Sequence, residues 1–213
     1  MSDLLDVHIT YDFVCPWCWI GHHHLRSALA QTGMADRVAL HFHPFELNPG
    51  LPPEGIARRD YRTRKFGSWE RSQALDAQVA RAGEKAGAVF AFDKMEVTPN
   101  SRLAHRLIRF AESQGNAAQR VQLHDAIYSA YFQEGRNIGS PDVLADIAEK
   151  QGYDVVGVRA FLAGNEGEAE VMAEETQAHQ DGIDAVPHFR VGWNDVSGAQ
   201  PPAVLAQLLM AGR

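Results

Sequence analysis

The chain has 213 residues, of which 45% are hydrophobic, and a formal net charge of −7 at pH 7. These values predict one compact domain, or a domain with a large insertion, and exclude a disordered chain. A net negative charge provides no positive electrostatic potential to attract phosphate groups, which argues against nucleic acid or an anionic membrane as the partner. A small molecule or another protein is favoured instead.

The first residues, "MSDLLDVHI", contain neither a basic segment nor an apolar stretch long enough for export or for crossing a bilayer. We therefore expect a cytoplasmic protein. The segment "VHITYDFV", residues 7–14, is rich in β-branched and aromatic residues and predicts a strand. It leads into "CPWC", which holds Cys15 and Cys18, the only two cysteines of the chain. A framework of structural disulfides is thus excluded.

A helix is predicted from Pro16 to Thr32, because proline suits the first helical turn and Gly33 provides a stop. "RVALHFHPFEL", residues 37–47, predicts a second strand, and the proline-rich "NPGLPPEG" leaves the sheet. A long, mainly helical stretch follows. Segments that begin with a capping residue and end with glycine predict helices at 68–87, 101–115, 116–135, 140–152 and about 165–182.

The β pattern returns near the end of the chain. "VPHFRVG", residues 186–192, and "DVSG", residues 195–198, predict a hairpin, and "PPAVLAQLLM" predicts a closing helix. This order of elements predicts an α/β fold interrupted by a large all-helical insertion. The first part would be residues 1–50, the insertion 51–182, and the second part 183–213.

The spacing of the two cysteines favours redox chemistry. Cys15 lies where a strand ends and a helix begins, so backbone N–H groups and the helix dipole favour its thiolate. The thiolate is the attacking species in disulfide exchange. Cys18 lies one helical turn later on the core-facing stripe, within reach of Cys15 and shielded from solvent. We therefore predict Cys15 as the nucleophile and Cys18 as the resolving thiol.

Two other interpretations of the cysteine pair carry less weight. His22, His23 and His24 follow the pair, but a structural zinc site needs four ligands, and the chain has no second CxxC motif. Consecutive side chains on a helix point about 100° apart, so at most one of these histidines shares the cysteine face. We therefore predict no metal, and we do not expect two purely structural cysteines.

The segment "AVPHF", residues 185–189, places a proline where a strand begins. Pro187 has no N–H to donate to a sheet ladder, so it belongs at an edge or a bend. A cis and an ordinary trans peptide bond are both compatible with these residues.

Four segments together carry a family resemblance: "DFVCPWCWIG", "FHPFELNPGLP", "SRLAHRLIRFA" and "GIDAVPHFRVG". Over essentially its whole length the chain resembles the DsbA-like thioredoxin-fold oxidoreductases, in particular the FrnE-like branch. The resemblance implies a thioredoxin-like fold with a helical insertion, and a protein-disulfide oxidoreductase or isomerase. It also implies that Val186 and Pro187 form a cis-proline loop facing the cysteines, where Val186 pairs with an extended thiol-bearing segment and Pro187 shapes the groove. Pro16 and Trp17 would tune the redox potential.

Four polar residues near the predicted site have two interpretations each. Protonated, His188 would stabilise the Cys15 thiolate and bind near the substrate, but we favour an ordinary strand residue. His41 and His43 share one face of a strand, towards either solvent or the helical insertion. Glu46 is either a proton acceptor for Cys18 or a solvated loop carboxylate, and we assign no role to these last three.

Other functions share the same resemblance. Kappa-type glutathione transferases and glutathione-dependent 2-hydroxychromene-2-carboxylate isomerases have this architecture but generally carry serine at the first cysteine. Retention of Cys15 and Cys18 therefore favours redox chemistry. A tailoring or binding role in a polyketide pathway is a third alternative. We expect no bound cofactor, glutathione or another thiol as redox partner, and a thiol- or disulfide-bearing protein or small molecule as substrate. The direction of electron flow and the oligomeric state, a dimer included, stay open.

Overall fold

The N-terminal part of the chain forms a parallel strand pair joined by a helix. In the computed structural model, which describes residues 4–212, strand β1 (Leu5–Tyr11) runs into helix α1 (Pro16–Thr32). A short 3₁₀ turn then leads to strand β2 (Val38–Pro44). β1 and β2 pair in parallel over their full length. This arrangement requires a crossover connection, which α1 provides.

A mainly helical segment separates β2 from the last strands. Its elements are, in chain order, β3 (Ile56–Ala57), α2 (Arg58–Phe66), α3 (Trp69–Ala86), β4 (Val97–Thr98), α4 (Arg102–Ser113), α5 (Ala117–Phe132), α6 (Pro141–Lys150), α7 (Val155–Ala163) and α8 (Glu168–Gln180). β3 and β4 pair antiparallel over two residues, so the segment also holds a short strand pair that the sequence did not predict. No helix among residues 4–212 is long and apolar enough to cross a membrane.

The C-terminal part completes the main sheet. Strands β5 (His188–Val191) and β6 (Asn194–Ser197) form a hairpin, and helix α9 (Pro202–Ala211) follows. β5 pairs antiparallel with the free edge of β1, which gives the order β2–β1–β5–β6. α9 packs against α1, and α1 also contacts α3. The sheet therefore brings the two ends of the chain together beside α1.

The boundaries of α1 agree with the prediction because its end signals are local. Cys15 is the N-cap in an extended conformation and Pro16 follows at the first helical position. At the other end, Gly33 adopts a left-handed conformation with φ of 65°, and its N–H bonds the carbonyl of Ala30. Left-handed backbone favours glycine, which lacks the Cβ that would clash.

Two helices were not predicted from the sequence. α2 has the sequence "RRDYRTRKF", in which charges leave no apolar stripe of helical period. α7, "VVGVRAFLA", is apolar on most sides, but its N-cap Asp154 accepts N–H groups of Val156 and Gly157. That cap was a usable signal in the sequence.

One hydrophobic core connects the sheet with the helical segment. Buried residues of β1, α1, α4, α5, α6, β5 and α9 form a single cluster, which includes both cysteines. The predicted mixed α/β class with a helical insertion is confirmed. The hydrophobic core continues across residues 50 and 182. The domain boundaries predicted at these residues stay predictions.

Candidate active site

Both cysteines lie at the start of α1, as free thiols. A turn at Asp12–Val14 leads from β1 to the helix, and the Cys15 N–H donates to the Asp12 carbonyl at 3.1 Å. The Cys18 N–H donates to the Cys15 carbonyl at 3.1 Å, so the helical turn begins between the two residues. Cys15 is 4% exposed and Cys18 is 2% exposed. Both thiols are thus largely shielded from solvent, and Cys15 borders a cavity.

The proline loop faces the first cysteine, as the resemblance implied. Cys15 Sγ lies 3.7 Å from the Val186 carbonyl oxygen, although 171 positions separate the two residues. The Val186–Pro187 peptide bond is cis, which is one of the two conformations that the sequence left open. Gly21 permits this close approach, since a Cβ at that position would lie 2.9 Å from Pro187 Cγ.

Burial affects the acidity of the second thiol. Burial raises the pKa of the Cys18 thiol well above its usual range, and a hydrogen bond and the charge of Cys15 raise that pKa further. Cys18 is therefore a protonated thiol at neutral pH. It needs a proton acceptor before it can attack a disulfide, because only the thiolate is nucleophilic.

A buried carboxylate lies beside the pair. Asp12 is completely buried, and Leu47 N–H donates to its Oδ2 at 2.7 Å. His105 Nε2, from α4, lies 3.3 Å from its Oδ1. The charge of Asp12, three residues before Cys15, is also one of the causes of the raised Cys18 pKa.

Asp12 and His105 were missed as functional residues by the sequence analysis. Both occur in segments that carry the family resemblance, but 93 positions separate them and no spacing rule links them. Burial of an aspartate was the missing signal, because a charged side chain is rarely fully buried without a partner.

A cavity of about 260 Å³ opens beside Cys15. Pro16 and Trp17 lie on its wall, and Trp17 is 44% exposed at the rim. α2 contributes three cationic side chains to the wall: Arg58, Arg62 and Lys65. Asp76 pairs with both arginines, at 2.7 Å from Arg58 and 2.5 Å from Arg62. One carboxylate thus faces three cations, so the side chains that line the cavity carry a net positive charge although the chain as a whole is acidic.

The remaining polar candidates lie elsewhere. His188 is 8% exposed, its Nε2 lies 3.0 Å from Asp195 Oδ2, and it lines a different cavity together with His8 and His43. His41 pairs with Asp6, and His43 with Glu174 of α8. His8 stacks between these two histidine rings. His188 does not line the cavity at Cys15. Its predicted substrate-binding role stays a prediction.

Glu46 has a structural partner. It is buried rather than solvated, and Arg102 Nε donates to its Oε1 at 2.7 Å. Its backbone N–H donates to Glu175 Oε1 at 2.7 Å. These contacts fasten the loop after β2 to α4 and α8, whereas Asp12 is the carboxylate next to the cysteines.

Comparison with known proteins identifies the architecture. The sequence model described as DSBA-like thioredoxin domain matches residues 6–210. The crystal structure of a probable DsbA oxidoreductase from Streptomyces coelicolor is similar at 30% identity, with a TM-score of 0.88 and coverage of 98% of this chain and 89% of that chain. The uncharacterized protein YwbO of Bacillus subtilis is 27% identical over 198 residues, which are 92% of each chain.

A more distant structure has the same fold. The cytosolic disulfide reductase DsbM from Pseudomonas aeruginosa with GSH is 18% identical, with a TM-score of 0.66 and coverage of 97% of this chain and 98% of that chain. The thioredoxin-like fold with a helical insertion, expected from the resemblance, is thus confirmed. Because the family match spans nearly the whole chain, the protein belongs to the DSBA-like thioredoxin domain family.

Proposed function

We propose that the protein is a thiol–disulfide oxidoreductase in which Cys15 attacks the substrate and Cys18 resolves the mixed disulfide. The observation that carries this proposal is the position of Cys15 Sγ. It lies at the start of α1, 3.7 Å from the Val186 carbonyl oxygen, on the wall of a cavity. A reacting sulfur is thereby placed between a helix N-terminus, which favours a thiolate, and a backbone group that can orient an extended substrate.

In the first step, the Cys15 thiolate attacks one sulfur of a substrate disulfide. A Cys15–substrate disulfide forms, the substrate S–S bond breaks, and the other half of the substrate leaves as a thiolate. The cavity beside Cys15 gives the substrate access, since the cysteine itself is buried.

In the second step, Cys18 loses its proton and attacks the Cys15 sulfur. The Cys15–Cys18 disulfide forms and the substrate leaves as a second thiolate, so two electrons pass from the pair to the substrate. We assign Asp12 as the acceptor of the Cys18 proton, with His105 holding its carboxylate. The reverse sequence oxidises a substrate dithiol, and the reduction potential of the pair decides which direction dominates against glutathione.

The charge of the cavity suggests an anionic substrate. Lys65 lies at the wall near Tyr61, and the two arginines share a single carboxylate, so a positive balance remains for a ligand. Charge-assisted hydrogen bonds from such groups bind carboxylates well. We therefore propose glutathione, or another carboxylate-bearing thiol, as the redox partner. The similarity to a disulfide reductase solved with GSH supports this choice.

The exchange mechanism is tested by cysteine variants and glutathione disulfide. We expect Cys15→Ser to lose reduction of glutathione disulfide, and Cys18→Ser to accumulate one glutathione per chain as a Cys15 mixed disulfide, measured by intact mass. Exchange by Cys18→Ser as fast as wild type would contradict the assigned roles. Glutathione binding by the wild type without disulfide formation would instead favour the glutathione-dependent isomerase or transferase alternative.

The substrate class is tested by removing a charge from the wall. Lys65→Met should raise the KM for glutathione disulfide by about fivefold, which corresponds to roughly 1 kcal/mol, and leave a neutral disulfide such as 2-hydroxyethyl disulfide unaffected. Lys150→Met is the matched control, because Lys150 is an exposed lysine of α6 that pairs with Asp146. Equal KM values in Lys65→Met and wild type would remove the argument for an anionic substrate.

A further inference from the structure

A cluster of polar side chains lies between α1 and α5, and none of its members lines the cavity beside Cys15. His22 lies one turn after Cys18, and His124 and Asp125 lie next to each other on α5. His22 is 2% exposed and His124 is 1% exposed. Asp125 is more accessible, with a quarter of its side chain exposed. The proposed redox mechanism uses none of the three.

The distances within the cluster are those of a ligand set. His22 Nε2 lies 2.7 Å from Asp125 Oδ1, and His124 Nδ1 lies 3.6 Å from the same oxygen. One ligand atom from each of the three residues lies within 4.8 Å of the others. Around a tetrahedral Zn²⁺ with bonds of about 2.0–2.1 Å, neighbouring ligand atoms are about 3.4 Å apart, so the separations would change by at most about 1.4 Å.

Several polar atoms of the cluster lack a hydrogen bond. Both ring nitrogens of His22, both of His124, and Oδ1 of Asp125 are buried without a hydrogen-bond partner of normal geometry among the described residues. More than nine-tenths of buried polar groups in proteins are hydrogen-bonded. His22 Nε2 and Asp125 Oδ1 contact each other, but His22 Nδ1 and His124 Nε2 have no partner within the described part of the chain. A bound cation would coordinate one atom of each side chain.

Neighbouring groups orient the donors. Arg26 Nη1 donates to Asp125 Oδ2 at 2.9 Å, which leaves Oδ1 directed at the histidines. The His124 ring stacks on Phe42 with centroids 4.1 Å apart, and the His22 ring stacks on Trp19. The hydrogen bond from Arg26 is the kind of outer contact that orients a ligand in metal sites, and the stacked rings limit rotation of the two imidazoles.

We infer that His22, His124 and Asp125 form a binding site for a divalent transition-metal ion of the zinc class, with a fourth position open on the Asp125 side. Two imidazoles and one carboxylate are donors that suit such ions. The ion would link α1, which carries the cysteines, to α5 of the helical segment. It is distinct from a metal at the cysteine pair, which the sequence argues against.

The test uses Co²⁺, whose visible absorption reports coordination, with the Cys15→Ser/Cys18→Ser chain so that thiols do not compete. We expect saturation at one Co²⁺ per chain, displacement by Zn²⁺, and an affinity about 100-fold lower in His22→Gln and in Asp125→Asn. His41→Gln is the control, because His41 is an exposed strand histidine that pairs with Asp6. Circular dichroism of each metal-free variant establishes that it is folded.

Absence of saturable Co²⁺ binding by the folded parent chain would overturn the proposal. Loss of binding in His41→Gln, with binding retained in His22→Gln, would also overturn it by placing the ion on the strand face. If His22→Gln does not fold, Asp125→Asn decides alone, since its carboxylate is partly exposed and keeps its shape on substitution.

Discussion

At the scale of single residues, the two cysteines have different environments although they lie within one tetrapeptide. Both are buried, but Cys15 caps the helix and borders the cavity, and burial raises the pKa of Cys18. The proposed resolving step by Cys18 therefore needs a base. The proton acceptor for Cys18 becomes the residue on which the second step depends.

Asp12→Asn should slow the resolving step and change its pH dependence. Loss of a general base lowers the rate of the step by about 100-fold or more. Loss of the Asp12 charge, a minor cause of the Cys18 pKa shift, lowers that pKa only slightly and so recovers little of the rate. We expect a rate at least about tenfold lower at pH 7. The rate should rise steeply with pH and reach the wild-type rate once Cys18 ionises without help. Stopped-flow decay of a preformed Cys15–glutathione disulfide measures this rate.

Asp36→Asn is the matched control, because Asp36 is an exposed aspartate in the turn before β2. Its pH profile should follow that of the wild type. If Asp12→Asn also followed the wild-type profile, another group would have to accept the Cys18 proton.

The residues to which we assign the proposed chemistry are easier to find in the sequence than those that surround them. Cys15, Cys18 and Pro187 belong to short motifs whose chemistry can be read locally. Asp12 and the metal cluster depend on which distant side chains share a buried space. His124 lies a hundred positions after the histidines that follow the cysteines, so no spacing connects them.

At the scale of elements, α1 is constrained on two sides. Its N-terminus carries the cysteines, and Gly21, one turn later, packs against the proline loop and the ring of Phe189. The absence of a side chain at Gly21 therefore sets the distance between the helix and the loop.

Gly21→Ala should destabilise the protein despite the higher helix propensity of alanine. Alanine gains about 1 kcal/mol in a helix, but overpacking typically costs about 1–3 kcal/mol. The new Cβ would lie 2.9 Å from Pro187 Cγ and 3.1 Å from Phe189 Cζ, and Phe189 is fully buried. We expect a net loss of about 1 kcal/mol in the free energy of unfolding, measured with urea.

Ser27→Ala in the same helix provides the comparison, because Ser27 is only half-buried and its hydroxyl bonds Gln31. This change should be neutral or slightly stabilising. A gain of stability in Gly21→Ala would mean that the proline loop moves away from the new methyl group with no loss of free energy of unfolding.

Most elements with local end signals were predicted, with α7 and its Asp154 cap as the exception. α1, α3 and α6 begin at a proline or a capping residue and carry apolar stripes, so their positions follow from the sequence. α2 has no stripe, and its place depends on packing against α3 and on the ion pairs with Asp76. It was one of the elements that the sequence missed, and it supplies the cationic side chains of the cavity.

At the scale of the whole molecule, the helical segment and the sheet share one core and direct hydrogen bonds. Tyr128 of α5 donates its hydroxyl to the Asp12 carbonyl at 3.0 Å, inside that core. Arg120 of the same helix donates to the Leu40 carbonyl of β2 at 2.7 Å. We therefore expect the two parts to unfold together.

Tyr128→Phe should lower the free energy of unfolding by about 1 kcal/mol without splitting the transition, because one buried hydrogen bond is lost within a shared core. Urea unfolding followed by tryptophan fluorescence and by far-ultraviolet circular dichroism should give coincident curves. Tyr153→Phe is the control, since the Tyr153 hydroxyl is buried without a hydrogen-bond partner among the described residues. It should be neutral or stabilising. Two separate unfolding transitions, in one probe or between the two probes, would show that the two parts do not unfold together.

The antiparallel pairing of β5 with β1 has a consequence for biosynthesis. β1 and the cysteines leave the ribosome before Val186 and β5, and Val186 follows Cys15 by 171 positions. Until then one edge of β1 is unpaired and the thiols lack their proline loop, an exposure on the order of ten seconds at usual elongation rates. A nascent chain is therefore open to wrong strand pairing and to stray thiol reactions, and it acquires its site only after β5 has been made.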